Sequence, residues 1–359
     1  MSIEIFTPGR TELAGNHTDH QKGRVLASGV DFGIHAVTEA SGSSVCHIAS
    51  AGFDPFDVNI NHMRVRAEQF GSSKALVRGV IAGFKEYGLN IGGFNAKLKS
   101  TVPAGLGLSS SAAFSVCIGN ILNKLFNNGE VSPIVIARIA QFAENNYFGK
   151  PCGLMDQMAC AVGHTVYIDF LTNEVTPIRA DFGSMGLTLC LTNTGGSHAG
   201  LDSSYARIPA DMKYIAHFFD EETLGDVNPE EFRAKGWNLE DRPVRRAMHF
   251  FDENERVPQM RDALISGDGD TYLRLMNESG RSSENLLNNI ITSATGDTKL
   301  ADGLELSRKL LEGKGAWRVH GGGFAGCVQA LMPNDFFPYY KKEMEAVFGE
   351  NSCTRIKLK

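Results

Sequence analysis

The stretch Pro103-Ala-Gly-Leu-Gly-Leu-Ser-Ser-Ser-Ala-Ala113 runs from a glycine- and serine-rich loop directly into an apolar helix predicted over residues 111–126. Glycines let the backbone approach a ligand closely, and the free amides at the start of a helix favour an anion. The stretch is therefore a candidate phosphate-binding loop. It lacks the lysine of the common GxxxxGKS/T loop, and on its own an ordinary capped helix after a flexible turn explains it equally well.

Short β-branched runs and glycine-containing turns surround this loop in the first 170 residues. Strands are predicted over residues 24–30 and 33–39. A second helix is predicted over residues 133–147, because its apolar residues recur at helical spacing. This half of the chain is therefore predicted to be α+β.

The second half is predicted to be mostly helical. Strand-like runs at 165–170 and 187–192 flank the turn-forming pair Thr172-Asn173, and we place a soft domain boundary near residue 173. Helices are predicted up to about residue 315. A glycine-rich turn, an apolar run at 327–332 and an amphipathic helix at 335–348 complete the chain.

Composition excludes some functions but names none. The 359 residues suffice for two domains, and 42% hydrophobic with 21% charged residues is ordinary for a folded protein. A net charge of -6 argues against general binding to nucleic acid or anionic membranes, since both need a basic face. Without a long apolar run or a signal-peptide pattern, we expect a cytoplasmic protein. A monomer or weak homodimer is the expected oligomeric state.

The seven cysteines are scattered, odd in number and without a CxxC pair. This pattern is typical of reduced thiols, most of them buried as small apolar residues. It does not favour structural zinc.

The stretch Pro8-Gly-Arg-Thr-Glu-Leu-Ala-Gly-Asn-His-Thr-Asp-His-Gln-Lys-Gly23 places many polar side chains between two predicted strands. Such a density of hydrogen-bonding groups beside glycines suits the binding of several hydroxyls of a sugar. A solvated loop, or a metal site built on His17 and His20, is the alternative interpretation. Neither alternative explains the neighbouring Arg10.

The stretch Cys152-Gly-Leu-Met-Asp-Gln-Met158 contains a single carboxylate, Asp156, in an otherwise apolar run. Glu144 lies twelve residues earlier, on the apolar face of its predicted helix. A buried acid usually pairs with a cation or binds a metal. A magnesium ion that bridges phosphates would be such a partner.

Four motifs, PGRTELAGNHTDHQKG, PAGLGLSSSAA, CGLMDQ and HGGGFAGC, resemble the ordered signature motifs of galactokinases within the GHMP kinase family. Their order and approximate spacing match over nearly the whole chain. The resemblance implies ATP-dependent phosphorylation of the anomeric C1 hydroxyl of a hexose, with D-galactose ranked first.

The resemblance also implies an α+β fold with the two-domain GHMP kinase architecture. The N-terminal domain, residues 1–172, would resemble ribosomal protein S5 domain 2 and carry the phosphate loop. The C-terminal domain, residues 173–359, would be ferredoxin-like, with the active site between the two domains.

Catalytic and metal roles follow from the same resemblance. Asp156 would be the general base or would orient the C1 hydroxyl, while Arg10 would keep Asp156 ionised and offset charge on the transferred phosphoryl group. Ser111 and Glu144 would hold Mg²⁺, with Ser110 as the alternative to Ser111.

The resemblance further assigns the nucleotide and sugar contacts. The turn at 321–326 would close the site from the other domain. The residues that would bind ATP form one continuous loop: Gly105, Leu106, Gly107, Leu108, Ser109, Ser110 and Ser111. The residues that would contact the sugar are Asn16, His17, Asp19, Gly153, Asp156 and Tyr205.

Three positions depart from the galactokinase pattern. The family usually has glutamate at Asn16 and tyrosine at His20, while the position of Glu12 usually carries asparagine. Loss of the negative charge at Asn16 would favour a uronic acid such as galacturonate, because a repulsion is removed. Asparagine can also form a hydrogen bond with a neutral hydroxyl, so galactose remains the first-ranked substrate.

Two other classes of protein share parts of this sequence pattern. Residues 321–326 match GxGxxG, but a strand and Pro333 follow where a Rossmann dehydrogenase needs a helix. A non-catalytic sugar sensor with the same fold is the closer rival. Such sensors tend to lose residues in the LSSSAA loop, which is intact here, so the sequence favours catalysis.

Overall fold

The computed structural model describes residues 2–197, 200–238, 240–291 and 295–359. Within these ranges the strands form two separate sheets. The strands of the first sheet are β1 (Ile3–Ala14), β2 (Arg24–Ala40), β3 (Val45–Ser50), β4 (Phe56–Asn59), β5 (Phe94–Ser100), β6 (Val166–Asp169) and β7 (Glu174–Pro177). Those of the second are β8 (Leu187–Asn193), β9 (Ala316–His320), β10 (Cys327–Pro333) and β11 (Cys353–Ile356).

The long strand β2 organises the first sheet. β1 pairs with it antiparallel from Ile3↔Thr38 to Ala14↔Leu26, while β5 and β6 pair with its two ends. The two strands predicted at 24–30 and 33–39 are therefore one strand. Gly33, the first residue of the second predicted run, allows close backbone approach, since a Cβ there would overlap the carbonyl oxygen of Thr7.

Helices cover the first sheet and dominate the second half. The first four are α1 (Ser73–Glu86), α2 (Ser110–Phe126), α3 (Pro133–Ala143) and α4 (Met155–Val162). The others are α5 (Asp202–His217), α6 (Pro229–Ala234), α7 (Arg242–Ser266), α8 (Gly269–Ser282), α9 (Lys299–Leu311) and α10 (Phe337–Phe348). None of the helices in the described part of the chain combines the length and apolar character that a membrane crossing requires.

The helix predicted over 133–147 is shorter than expected. α3 starts with Ser132, whose hydroxyl accepts from the amide of Val135, and with Pro133 in its first turn. It ends at Ala143, where the backbone continues as a π-type turn over Glu144–Phe148. The wider turn begins at the predicted metal ligand, Glu144.

One apolar cluster joins the two sheets. It includes Leu13 and Leu26 of the first sheet, Leu189 and Leu331 of the second, and residues of α7 such as Val257. Each of these side chains is almost completely buried. The halves of the chain are therefore packed together along the face where β1 ends, and the polar residues of β1 lie beside this contact.

The predicted domain boundary near residue 173 stays a prediction. Strand β7 follows that point and pairs with β6, so the first sheet extends to Pro177. The second sheet has the antiparallel order β11-β8-β10-β9 and starts at Leu187.

Candidate active site

The predicted phosphate loop joins β5 to α2. Its two leucines, Leu106 and Leu108, are buried in the apolar cluster that joins the sheets. They anchor the loop, so that only its backbone and serine hydroxyls can face a ligand. Cys327 of β10 donates a thiol hydrogen bond to the carbonyl oxygen of Gly105, at 3.1 Å, which ties the loop to the second sheet.

Ser109, the last residue before α2, is in the left-handed region with φ 55°. A non-glycine residue in this conformation costs about 1–2 kcal/mol. Its hydroxyl does not cap the helix but donates a short hydrogen bond to Oδ2 of Asp156. The strained geometry therefore aims the serine at the candidate catalytic carboxylate.

Arg10 and Asp156 form a bidentate ion pair, although they are 146 residues apart in the sequence. Nε of Arg10 donates to Oδ1 of Asp156 at 2.7 Å, and Nη2 donates to Oδ2 at 2.8 Å. The remaining terminal nitrogen, Nη1, donates to the carbonyl oxygen of Gly107 at 2.7 Å. One guanidinium thus fixes both the phosphate loop and the carboxylate.

The charge state of Asp156 follows from this geometry. Burial opposes ionisation, but the charge and hydrogen bonds of Arg10, together with the hydrogen bond from Ser109, lower the pKa of the carboxyl below its ordinary 3.8. The Asp156 side chain is 31% exposed, against 7% for Arg10, so a substrate can reach it. A carboxylate of lowered pKa is a weak base, which favours orientation of a hydroxyl over early proton removal.

Glu144 lies in a second cluster of oxygen atoms. Its Oε1 accepts from the Ser111 hydroxyl at 2.8 Å, and its Oε2 accepts from Nε2 of Gln157 at 2.7 Å. The side-chain oxygen of Gln157 is buried without a hydrogen-bond partner, and Nζ of Lys150 lies 3.8 Å from Glu144.

This donor set fits a magnesium ion. Hydroxyl, carboxylate and amide oxygens are the ligands that Mg²⁺ prefers, and it takes the rest of its shell from phosphates and water. No group of three or more His, Cys, Asp or Glu side chains suited to a metal occurs among the residues whose structure is described. A cation at Ser111 and Glu144 would therefore depend on a phosphate-bearing ligand.

Asp19 lies close to Asp156 and directly against Gly153. A Cβ at Gly153 would overlap the Asp19 carboxylate, so this contact requires glycine. The Asp19 carboxylate accepts a hydrogen bond from the amide of His20 at 2.9 Å. Burial, followed by the negative charge of Asp156, raises the pKa of Asp19 from 3.8 to about 6.

The two histidines of the first motif interact with each other. Nε2 of His17 donates to the carbonyl oxygen of Gly322 at 3.0 Å, which leaves its Nδ1 to accept from Nε2 of His20 at 3.3 Å. Burial lowers the pKa of His17 to about 4 and that of His20 to about 3, so both rings are neutral at neutral pH. The pairing does not favour the alternative metal site.

Asn16 has its hydrogen-bonding capacity occupied within the protein. It is 1% exposed, and its amide donates to Glu12 and to the carbonyl oxygen of Gly321 at 2.7 Å. Its side-chain oxygen accepts from Ser283 at 3.3 Å and from Asn289 at 3.0 Å. The predicted sugar contact of Asn16 stays a prediction, since in this structure its amide binds the glycine turn.

Tyr205 also contacts the glycine turn. Its hydroxyl donates to the carbonyl oxygen of Gly323 at 2.7 Å, and its ring packs against Phe324. The three successive carbonyl oxygens of Gly321, Gly322 and Gly323 thus accept from Asn16, His17 and Tyr205 in that order. The turn predicted to close the site is held against the first motif by these contacts.

Sequence reasoning missed a buried charged network beside the site. Glu12 forms an ion pair with Arg318, and Glu253 forms one with Arg256, all with little or no solvent exposure. Arg318 also lies 3.8 Å from Glu253. The alternation Ala316-Trp-Arg-Val-His320 is the one signal that could have indicated a strand with a polar face.

Two family models and a curated protein are similar to this chain. The GHMP kinases N terminal domain matches residues 75–164, and the galactokinase galactose-binding signature matches residues 3–39. The chain is similar to a galactokinase of Clostridium tetani, with 28% identity over 95% of this chain and 86% of that protein. The predicted resemblance to galactokinases is confirmed.

Solved structures show the same fold. The crystal structure of Lactococcus lactis galactokinase complexed with galactose superposes with a TM-score of 0.87 at 23% identity, covering 99% of this chain and 93% of that one. Mevalonate kinase of Methanococcus jannaschii superposes with a TM-score of 0.69 at 15% identity, covering 100% and 99%. The predicted α+β fold with the GHMP kinase architecture is confirmed.

Proposed function

We propose, because the chain resembles galactokinases of the GHMP kinase family over nearly its whole length, that it transfers the γ-phosphoryl group of ATP to the C1 hydroxyl of D-galactose. The product is galactose 1-phosphate. The observation that carries the proposal is the bidentate pair of Arg10 and Asp156, fixed to the phosphate loop through Gly107 and Ser109. Arg10 lies within the segment that matches the galactose-binding signature.

The phosphate loop would hold the triphosphate with its backbone amides and serine hydroxyls. This assignment covers residues 105–111 and uses the start of α2, where helix amides lack intrahelical partners. Burial of Leu106 and Leu108 supports it, since a loop anchored by its side chains keeps its backbone in place without a ligand.

Asp156 would accept a hydrogen bond from the C1 hydroxyl and orient its oxygen in line with the γ-phosphorus. As the new O–P bond forms, the bond to the bridging oxygen of ADP breaks, and the hydroxyl proton passes to Asp156 and then to solvent. Because the pKa of Asp156 is lowered, the proton moves late in the transfer. Arg10 would offset the charge on the transferred group, and no covalent enzyme intermediate is needed.

Ser111 and Glu144 would hold Mg²⁺, which neutralises phosphate charge when bound. The support is the oxygen-rich donor set, including the unpartnered amide oxygen of Gln157. Ser110 remains the alternative to Ser111.

Galactose is favoured over galacturonate. The argument for a uronic acid depends on Asn16 facing the substrate, whereas the Asn16 amide binds Glu12, Gly321, Ser283 and Asn289. The proposed sugar contacts remain His17, Asp19, Gly153, Asp156 and Tyr205. Gly153 leaves the room that the Asp19 carboxylate occupies.

The wider assignments are part of the same proposal. Seven free cysteines suit a reducing compartment such as the cytoplasm. A net charge of -6 supports small-molecule ligands over nucleic acid or membrane lipids. The protein would act as a monomer or weak homodimer.

The test is release of ADP from ATP and Mg²⁺ in the presence of galactose, galacturonate, glucose, N-acetylgalactosamine or arabinose, with a control without sugar. We expect the highest kcat/KM with galactose. Preference for galacturonate would restore the charge argument at Asn16. No turnover on any sugar, with ATP still bound, would favour the non-catalytic sensor.

A further inference from the structure

We propose that His320 is a phosphate-binding residue whose Nδ1 hydrogen is donated to a phosphate oxygen of the nucleotide at Gly107. The inference rests on the proposed function, because it places the nucleotide phosphates against the loop at 105–111. It adds a residue of the second sheet to a phosphate loop that belongs to the first half of the chain.

His320 lies at the end of β9, directly before the glycine turn, and is 4% exposed. Its ring faces the phosphate loop. Nδ1 would lie 3.3 Å from a Cβ built on Gly107, and the other atom near that Cβ belongs to the same imidazole ring. The space beside Gly107 is thus bounded by this imidazole.

Hydrogen bonds at the opposite nitrogen fix the tautomer. The backbone amide of Glu12, which can only donate, lies 3.4 Å from Nε2. The Thr11 hydroxyl is 3.1 Å from Nε2, and its oxygen accepts from Gln329 at 3.0 Å, which leaves its own hydrogen for the imidazole. Nε2 is therefore an acceptor and Nδ1 carries the ring hydrogen.

The Nδ1 donor has no hydrogen-bond partner in the structure and is shielded from solvent. Burial, followed by the positive charge of Arg10, keeps the pKa of His320 well below 6.5, so the ring has one hydrogen at neutral pH. An unpaired buried donor is unfavourable, and an acceptor supplied by a ligand removes that cost.

Neighbouring acceptors of the protein are already engaged. The carbonyl oxygen of Gly107 accepts from Arg10, and the Asp156 carboxylate accepts from Arg10 and Ser109. A phosphate oxygen matches the remaining donor, because it is anionic and the adjacent loop is the proposed phosphate site. His320 would then join Arg10 in holding the phosphates of the nucleotide.

Two isosteric substitutions separate this role from a structural one. His320→Asn can place an amide NH near the position of Nδ1 but loses the bonds at Nε2. His320→Gln can keep the bonds to Thr11 and Glu12 but loses the donor at Nδ1. If His320 binds phosphate, His320→Gln should bind ATP more weakly than His320→Asn. A purely structural role predicts the reverse order of affinities.

Calorimetric titration with a non-hydrolysable ATP analogue and Mg²⁺ is the direct readout. We expect His320→Gln to weaken binding and to lower kcat/KM for ATP by about tenfold or more, the usual effect of losing a hydrogen bond to a charged group. His320→Asn should stay within about threefold of the wild type, as should the exposed control His35→Gln. The KM for galactose should be unchanged in all variants.

Wild-type affinity in His320→Gln, or a greater loss in His320→Asn than in His320→Gln, would overturn the proposal. If neither variant folds, ¹⁵N-histidine spectra of the wild type test whether a histidine contacts the nucleotide. The Nδ1–H signal of one histidine should shift on addition of the ATP analogue but not of galactose. Absence of that shift would also overturn it. A wild type without turnover that shows the binding effect would refute the sugar-kinase function and leave the role of His320 intact.

Discussion

Replacing Asp156 with asparagine removes one negative charge from the centre of the site and keeps the shape of the side chain. In the wild type the carboxylate accepts two hydrogen bonds from Arg10, at 2.7 and 2.8 Å, and a third from Ser109. The asparagine oxygen can accept one bond from Arg10, but its NH₂ group then faces the other guanidinium donor. Arg10, with 7% side-chain exposure, is left without its hydrogen-bonded carboxylate.

Two effects follow, with different magnitudes. Breaking a buried ion pair costs about 3–5 kcal/mol, and the 31% exposure of Asp156 reduces the expected loss in unfolding free energy to about 2–3 kcal/mol. Loss of the group that orients the hydroxyl and takes its proton should lower kcat about 1,000-fold, which corresponds to about 4 kcal/mol of transition-state stabilisation. Affinity for ATP should change by no more than a few-fold.

The assay combines ADP release, calorimetric titration with ATP and urea denaturation. Asp169→Asn is the matched control, because it also breaks an arginine–aspartate ion pair. Asp169 accepts from Nε of Arg24 at 2.8 Å within the first sheet. The control should lose stability and keep wild-type turnover. Turnover of Asp156→Asn within tenfold of the wild type would refute the catalytic role of Asp156, and an Asp156→Ala variant with normal turnover would do the same.

Three further changes test other parts of the site. Glu144→Gln should raise the Mg²⁺ concentration for half-maximal turnover about tenfold, as expected when one ligand charge is lost; an unchanged titration would exclude Glu144 as a ligand. Because the pKa of Asp19 is raised to about 6, kcat/KM for galactose should fall as the pH drops below about 6 and the carboxylate gains a proton. That inflection should vanish in Asp19→Asn, and its persistence there would assign it to another group. Glu253→Gln should lower the unfolding free energy by about 3 kcal/mol, against about 0.5 kcal/mol for the exposed Glu255→Gln. Burial opposes ionisation of Glu253, but Arg256 and its other partners outweigh it and lower the pKa of Glu253 to about 2. The contribution of Glu253 to the unfolding free energy is therefore present above pH 4.5 and lost as the pH falls towards 2. Equal losses of unfolding free energy in Glu253→Gln and Glu255→Gln would contradict this role.

Local patterns predicted many of the elements in the site. The glycine- and serine-rich loop before α2 and the burial of Glu144 followed from spacing and composition, because these signals depend on neighbours in the sequence. The end of α3 did not follow from spacing or composition. Its π-type turn at Glu144 depends on how the helix meets α1 and the chain after it, which periodicity does not record.

Contacts between distant residues needed other information. The pairing of Arg10 with Asp156 joins the first strand to α4 and was expected only through the resemblance to galactokinases. The sequence also did not predict that the Asn16 amide would form hydrogen bonds with Gly321 and Asn289, which are more than 270 residues away. A polar side chain can bind substrate or protein, and only tertiary structure distinguishes the two.

The buried network around Arg318 shows the same limit. Alternation within β9 places Arg318 and His320 on one face of the strand, but polar faces usually meet solvent. Here that face packs against β1, where Glu12 and Thr11 provide partners. Patterning alone would therefore have assigned it to the surface.

Transfer to the anomeric oxygen of galactose can be observed by ³¹P NMR of the reaction with ATP and Mg²⁺. We expect a phosphomonoester whose phosphorus couples to the single C1 proton of galactose, together with an equal amount of ADP. A product coupled to the two C6 protons, or inorganic phosphate without a sugar phosphate, would show that the C1 oxygen of galactose is not the acceptor.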